Sequence, residues 1–237
     1  MLAKVHKVKT ERPASYIFLD RWRGFSCLLM LFHHLLYDLV FLFALELGLG
    51  ESFFYTLHLI TVMSFLAVSG ATAALSERQS KRGLMRQILA ALGLALLTSL
   101  VSLISGENLF IFWNLLMLLA LARFHLYICR QLPERFYLPG IALGGMLWTA
   151  LAILSRPLLW HLPPQIDYLS TWPWLLYFLG FYMLFYLLWR RTSWRQRMQQ
   201  GRAKDPLAFL GRHALAFYFL HQPLLILILQ VIFYALR

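Results

Sequence analysis

Long apolar stretches, broken by short polar or glycine- and proline-bearing segments, run the length of this chain. Read by apolar runs and breakers, they predict seven helices near 24–45, 52–75, 84–104, 108–128, 136–155, 172–189 and 213–236. Gly48, Gly50, Gly106, Pro133, Pro157, Pro163 and Pro164 fall between the runs, where turn-forming residues belong. Each run approaches the roughly 20 mostly apolar residues that a bilayer crossing needs. The expectation is an all-α membrane helix bundle forming one domain over residues 1–237.

Composition supports this. Of the 237 residues, 60% are hydrophobic and only 14% are charged. The net charge of +12 would point to nucleic acid in a soluble protein, but in a greasy chain basic residues collect in cytoplasmic loops and set orientation. With the N-terminus inside, the inner segments hold six Lys/Arg before the first helix, four around 78–86, three around 123–135 and seven in 190–212. That is 20 of the 22, with only Arg156 and Arg237 outside. Seven spans, an inner N-terminus and an outer C-terminus follow, and no nucleic-acid partner. The basic N-terminus leads into an apolar run without a small-residue cleavage site, so it reads as an uncleaved first helix. Cys27 and Cys129 fit no metal motif, and neither a disulfide nor a metal is expected.

The loops are less informative. RRTSWRQRMQQGRAKD, on the inner side, reads first as a solvated positive loop. RPLLWHLPPQIDYLST, on the outer side, mixes Trp160, His161, Asp167 and Tyr168. That mixture suits either sugar binding or a membrane interface.

Polar groups inside the runs carry more. Asp20, Gly24, Cys27, Leu31, His34 and Asp38 share one face of the first helix, with His33 pointing elsewhere. His34 and Asp38 are one turn apart, so the carboxylate can orient the imidazole. At a rise of about 1.5 Å per residue, His34 lies roughly 15 Å in from the inner end. His221 on the last helix lies about 12 Å in, and His58 and Asn114 about 9 Å from the outer face. Together they outline a polar cavity opening outward. Ionisable groups within spans mark pathways or sites, which favours function for His34, Asp38 and His221. His33, His125 and His213 read better as helix-bridging or interfacial groups. The run SGATAAL at 69–75 reads as a small-residue packing surface. Pro223 predicts local irregularity beside His221.

These residues carry a family resemblance. LDRWRGFSCLLMLFHHLLYDL resembles the opening motif of the bacterial DUF1624 proteins, which group with the heparan-α-glucosaminide N-acetyltransferase catalytic domain. The matching positions are Leu19, Asp20, Arg23, Gly24, Met30, His34, Asp38 and Leu39. The spacing from Arg23 to His34 is also similar to the first-helix motif of the membrane acyltransferase-3 group. FLAVSGATAALS resembles the family's second-helix block at Phe65, Leu66, Ser69 and Gly70. GRHALAFYFLHQPLL is similar to its closing block at Gly211, Arg212, Leu215, Tyr218, His221 and Pro223. The chain departs from the pattern at Ser15, at Ala214, and at Asn114 and Met117, which replace a glycine and a histidine.

The resemblance implies acyl transfer, with acetyl the group first expected, from cytoplasmic acyl-CoA to an amine or hydroxyl of an outward-facing glycan or other envelope acceptor. Acyl-CoA would be a co-substrate and not a resident cofactor, and the setting a bacterial inner membrane; a homodimer is left open. Arg21, Arg23 and Arg212 would face the CoA phosphates. His34 would act as base, with Asp38 favouring its imidazolium. His221, Tyr218 or Asn114 would donate to the developing oxyanion, and His58 would contact the acceptor. An acyl-histidine route is the variant mechanism. Three alternatives stand beside it: a proton-coupled transporter, a bis-histidine haem site joining His34 and His221, and a non-catalytic scaffold.

Overall fold

The computed structural model describes residues 16–75, 81–105, 115–154, 171–189 and 205–235, and among them there is no strand. The helices are α1 (Ile17–Tyr37), α2 (Glu51–Leu75), α3 (Lys81–Ser105), α4 (Leu115–Cys129), α5 (Glu134–Leu154), α6 (Thr171–Trp189), α7 (Pro206–Arg212) and α8 (Ala214–Ala235). Every run predicted as a helix overlaps one of the long helices, with α1 beginning seven residues before the predicted start. Seven residues near the predicted start of the fourth helix lie outside the described part, Asn114 included, as do the two loops singled out above except for their last residues, Asp205 and Thr171.

By length and composition, four segments can cross a membrane: 17–42, 51–75, 83–100 and 214–235. Leu115–Cys129 and Pro173–Trp189 are shorter apolar helices. The chain is an all-α integral membrane protein.

α1, α2, α4, α5 and α6 share one core, in which Cys27, Leu66, Val68, Leu118, Leu126, Ile141, Phe178 and Tyr182 are completely or almost completely buried. α3 packs on α4 at the periphery, and α8 leans on α1. The outer flank of α8 stays bare at Leu220, Leu224, Leu227 and Val231, an apolar surface suited to lipid. Cys27 and Cys129 are both free and buried.

Small residues set the closest crossings. A methyl group on Gly24 would collide with the backbone carbonyl of Leu207, and one on Gly211 with that of Asp20. α1 and α7 therefore touch backbone to backbone through a reciprocal glycine pair, which folds the opening and closing blocks of the sequence onto each other. The run at 69–75 behaves in the same way. A Cβ on Gly70 would sit 2.7 Å from the Phe178 carbonyl oxygen, and Ala71, Ala73 and Ala74 are buried.

Polar side chains tie the same helices together. Trp22 donates to Ser64 (3.1 Å), Ser64 and Ser26 share a hydrogen bond (2.7 Å), and Arg23 donates to Thr72 (2.8 Å). His125 meets the expectation of a helix bridge, with a ring nitrogen 3.1 Å from the Ile141 carbonyl of α5. His213 bonds the Phe209 carbonyl (2.9 Å) and is exposed.

Two local features differ from expectation. α7 occupies part of what reads as a basic loop. Asp205 caps it, accepting from the Ala208 N–H (3.0 Å), and Pro206 opens it. This is a common way to start a helix, because the cap satisfies an orphan donor and proline needs none. α8 runs straight through Pro223, so the irregularity expected there is absent. It appears instead at the end of α1, where Asp38–Leu42 form a turn of π-helix. Such turns often re-aim a side chain at a functional site.

Candidate active site

Four imidazoles from three helices form a row. The ring centroids of His58 (α2) and His33 (α1) are 5.5 Å apart, those of His33 and His34 5.2 Å, and those of His34 and His221 (α8) 4.9 Å. His34 and His221 therefore meet at one depth, as the helical bookkeeping expects. His33, read from sequence as a packing residue pointing away, lies between His34 and His58. The helix-face count is correct; what it lacks is that α2 brings His58 against that other face.

His221 is the deepest of the four, 8% exposed. Its Nδ1 faces two carbonyls of its own helix, Tyr218 at 2.8 Å and Phe217 at 3.2 Å. Carbonyls only accept, so Nδ1 carries the proton. Nε2 then presents a lone pair, is buried and has no hydrogen-bond partner. The expected oxyanion donor is thus an acceptor in its neutral form, a correction that follows from the tautomer.

Asp38 is 4% exposed. Among the described residues its carboxylate does not bond to His34; both oxygens accept from Gln222 Nε2 at 3.1 Å. The π-turn starts at Asp38, and the carboxylate meets α8 at the residue after His221. Gln222 escapes sequence reasoning because the closing block leaves its position unspecified; a primary amide inside a span was the available clue. Its Oε1 is buried and unpaired like His221 Nε2. Two neighbouring residues thus carry orphaned acceptors, a costly arrangement unless something with hydrogens to donate occupies the site.

The arginines expected to face CoA form a second cluster about half the length of α1 away. Arg21 binds Asp205 (2.6 Å), Arg23 binds Asp20 (3.2 Å), and Arg212 lies 3.9 Å from the other Asp20 oxygen. Three guanidinium groups against two carboxylates leave a positive excess. Arg123 of α4 adds to it, standing near enough to Arg23 for their charges to repel. Sequence reading passed over Arg123, treating it only as an orientation charge. At the surface, the Ala208 N–H and then Arg21 hold the Asp205 carboxyl below the usual carboxylate range. From Arg23 to His34 is roughly 16 Å along α1.

Tyr218 contributes its carbonyl to His221, and its ring lies 6.0 Å from the imidazole. Asn114 lies outside the described residues. The bis-imidazole haem alternative fits poorly: two coordinate bonds of about 2 Å to imidazole nitrogens hold ring centroids further apart than the 4.9 Å seen here. A cavity of 650 Å³ lies elsewhere, at the α4–α5 turn, lined by Glu134, Arg135, Tyr137, Pro139 and Tyr186. Neither the histidine row nor the arginine cluster lines it.

A family model described as heparan-alpha-glucosaminide N-acetyltransferase, catalytic, matches residues 16–223. The match takes in the arginine cluster and all four histidines of the row. Comparisons with curated proteins and with solved structures return no match.

Proposed function

This chain belongs to the heparan-alpha-glucosaminide N-acetyltransferase catalytic-domain family, and on that premise we propose that it transfers an acyl group, acetyl first, from cytoplasmic acyl-CoA to an amine on an outward-facing sugar. The observation that carries the reading is the pair of orphaned acceptors, His221 Nε2 and Gln222 Oε1, beside His34. Two acceptors call for a nucleophile with more than one hydrogen to donate. An amine answers that better than a hydroxyl, which has one.

In this reading the arginine cluster receives the CoA phosphates at the inner end, Arg23 and Arg212 still anchored by Asp20. The pantetheine arm follows α1 to the histidines. His221 Nε2 and Gln222 Oε1 hold the two N–H groups of the amine as it binds, while Asp38 holds Gln222 in place. On attack the N–H at His221 turns to His34, whose ring centroid is 4.9 Å from that of His221. His34 takes the proton as nitrogen attacks the thioester carbonyl. The tetrahedral intermediate collapses, the C–S bond breaks, and the CoA thiolate takes that proton back from His34. Tyr218 and Asn114 are the proposed oxyanion donors, and His58 lies on the acceptor side. The proposed seven crossings, with an inner N-terminus and an outer C-terminus as the basic residues suggest, suit donor and acceptor arriving from opposite sides.

The test is transfer of labelled acetyl from acetyl-CoA to glucosamine by purified protein. His34→Ala is expected to lower kcat about a hundredfold or more, the range for losing a positioned acid–base group, and His221→Ala about tenfold or more, the worth of one hydrogen bond that holds the amine. Full activity in a folded His34→Ala variant would remove His34 as the base.

A further inference from the structure

An amine presents a chemical problem that the base alone does not solve. At neutral pH it arrives as ammonium, and the balanced reaction is R–NH₃⁺ plus acyl–S–CoA giving R–NH–acyl, HS–CoA and one proton. The proton removed during attack ends on the thiolate. The other must leave before attack, because ammonium has no lone pair. It therefore needs a route out of the site.

We propose that His33 and His58 are proton-transfer residues that carry this excess proton from His34 towards the outer face. This rests on the amine-transferase reading above. The geometry is the row itself, with centroid steps of 5.2 Å from His34 to His33 and 5.5 Å from His33 to His58. At such separations ring nitrogens can exchange a proton directly or through one water. Each imidazole takes a proton at one nitrogen and releases one from the other, so a row moves charge without moving a side chain.

The surroundings give the row a direction. His221, behind His34, is deeply buried and its Nδ1–H is committed to its own helix, so that end is closed. Asp38 is committed to Gln222. His33 and His58 are only half-buried. His58 stands roughly 10 Å along α2 from the helix start at exposed Glu51, the end assigned to the outside. The groups facing the row are His34 and Tyr37 of α1, with the Tyr37 ring 6.2 Å from His33, His58 of α2, and His221 of α8. None of the described neighbours is a cation that would block the passage of a positive charge.

The test is the pH profile of His33→Gln and His58→Gln with acetyl-CoA and glucosamine. Below the ammonium pKa, each variant is expected to lose about tenfold or more in kcat, a share of the usual acid–base contribution, with the KM for acetyl-CoA unchanged. Above that pKa the amine arrives neutral, and the variants should approach wild type. Added imidazole should restore part of the low-pH rate. Equal losses at every pH, or wild-type profiles, would overturn the relay. If wild type transfers no acetyl, the function reading fails, and ¹⁵N-histidine NMR of the purified protein then decides the relay alone. The relay predicts hydrogen-bonded ring nitrogens on His33 towards both neighbours, direct or through water. Free, independently titrating rings would overturn it.

Discussion

At the scale of single residues, the site turns on which atom faces which partner: Asp38 accepts from Gln222, and His221 presents a bare, buried Nε2. His34, Asp38 and His221 stood out because ionisable groups inside apolar runs are costly and because each fits a motif position. Their roles were less legible, since a role depends on which atom faces which partner. One turn of spacing between His34 and Asp38 implied a direct bond, whereas the π-turn delivers Asp38 to Gln222. His221 was expected to donate, and its bond to Tyr218 makes Nε2 an acceptor. From this geometry, Gln222→Leu should destabilise the protein by about 1.5–3 kcal/mol, the usual worth of hydrogen bonds to a charged group. It should also lower kcat for acetyl transfer. Thermal unfolding in detergent checks the first and steady-state kinetics the second. If unfolding is unchanged in Gln222→Leu, Asp38 has no need of this partner.

At the scale of helices, the existence of every long helix was legible and their contacts were not. The apolar runs announced each long helix, but not that Gly24 and Gly211 face each other across the α1–α7 crossing. Gly24→Ala or Gly211→Ala should cost about 1–3 kcal/mol, as other overpacking changes do, and should loosen the arginine cluster. Gly93→Ala in α3 meets nothing within 4 Å and should be neutral or slightly stabilising. Similar melting temperatures for the three variants would contradict the crossing. The charge count reads 190–212 as a loop and so hides α7, although Asp205-Pro206 is a recognisable helix start. Asp205 also has a pH signature. Its folded carboxyl is held below the ordinary range, so its contribution is present above that range and fades as pH falls through the depressed value. The melting difference between wild type and Asp205→Ala should therefore shrink on acidification. A difference constant into strong acid would mean the cap does not depend on charge.

At the scale of the whole molecule, hydropathy made the membrane class plain, and the family match over 16–223 gives the chemistry its class. Length and composition give four full-length crossing candidates among the described residues; the proposed seven rest on the distribution of basic residues. A protease-sensitive tag after Arg237 should be cleaved from outside in intact cells and one before Met1 should not. Cleavage of both from one side would require an even number of spans. Which chain ends and faces meet was hidden in the sequence because it depends on tertiary contacts: α8 leaning on α1, and α2 turning His58 towards His33.

The central claim is that an acyl group passes from a donor at the arginine end to an acceptor on the other side, at the His34–His221 pair. The most direct measurement uses inside-out membrane vesicles loaded with glucosamine and supplied externally with labelled acetyl-CoA. Labelled acetylglucosamine should accumulate inside the vesicles with wild type, and about a hundredfold or more slowly with His34→Ala. Product formed only when glucosamine shares the compartment of the acetyl-CoA, or an unchanged rate in the variant, would contradict the account.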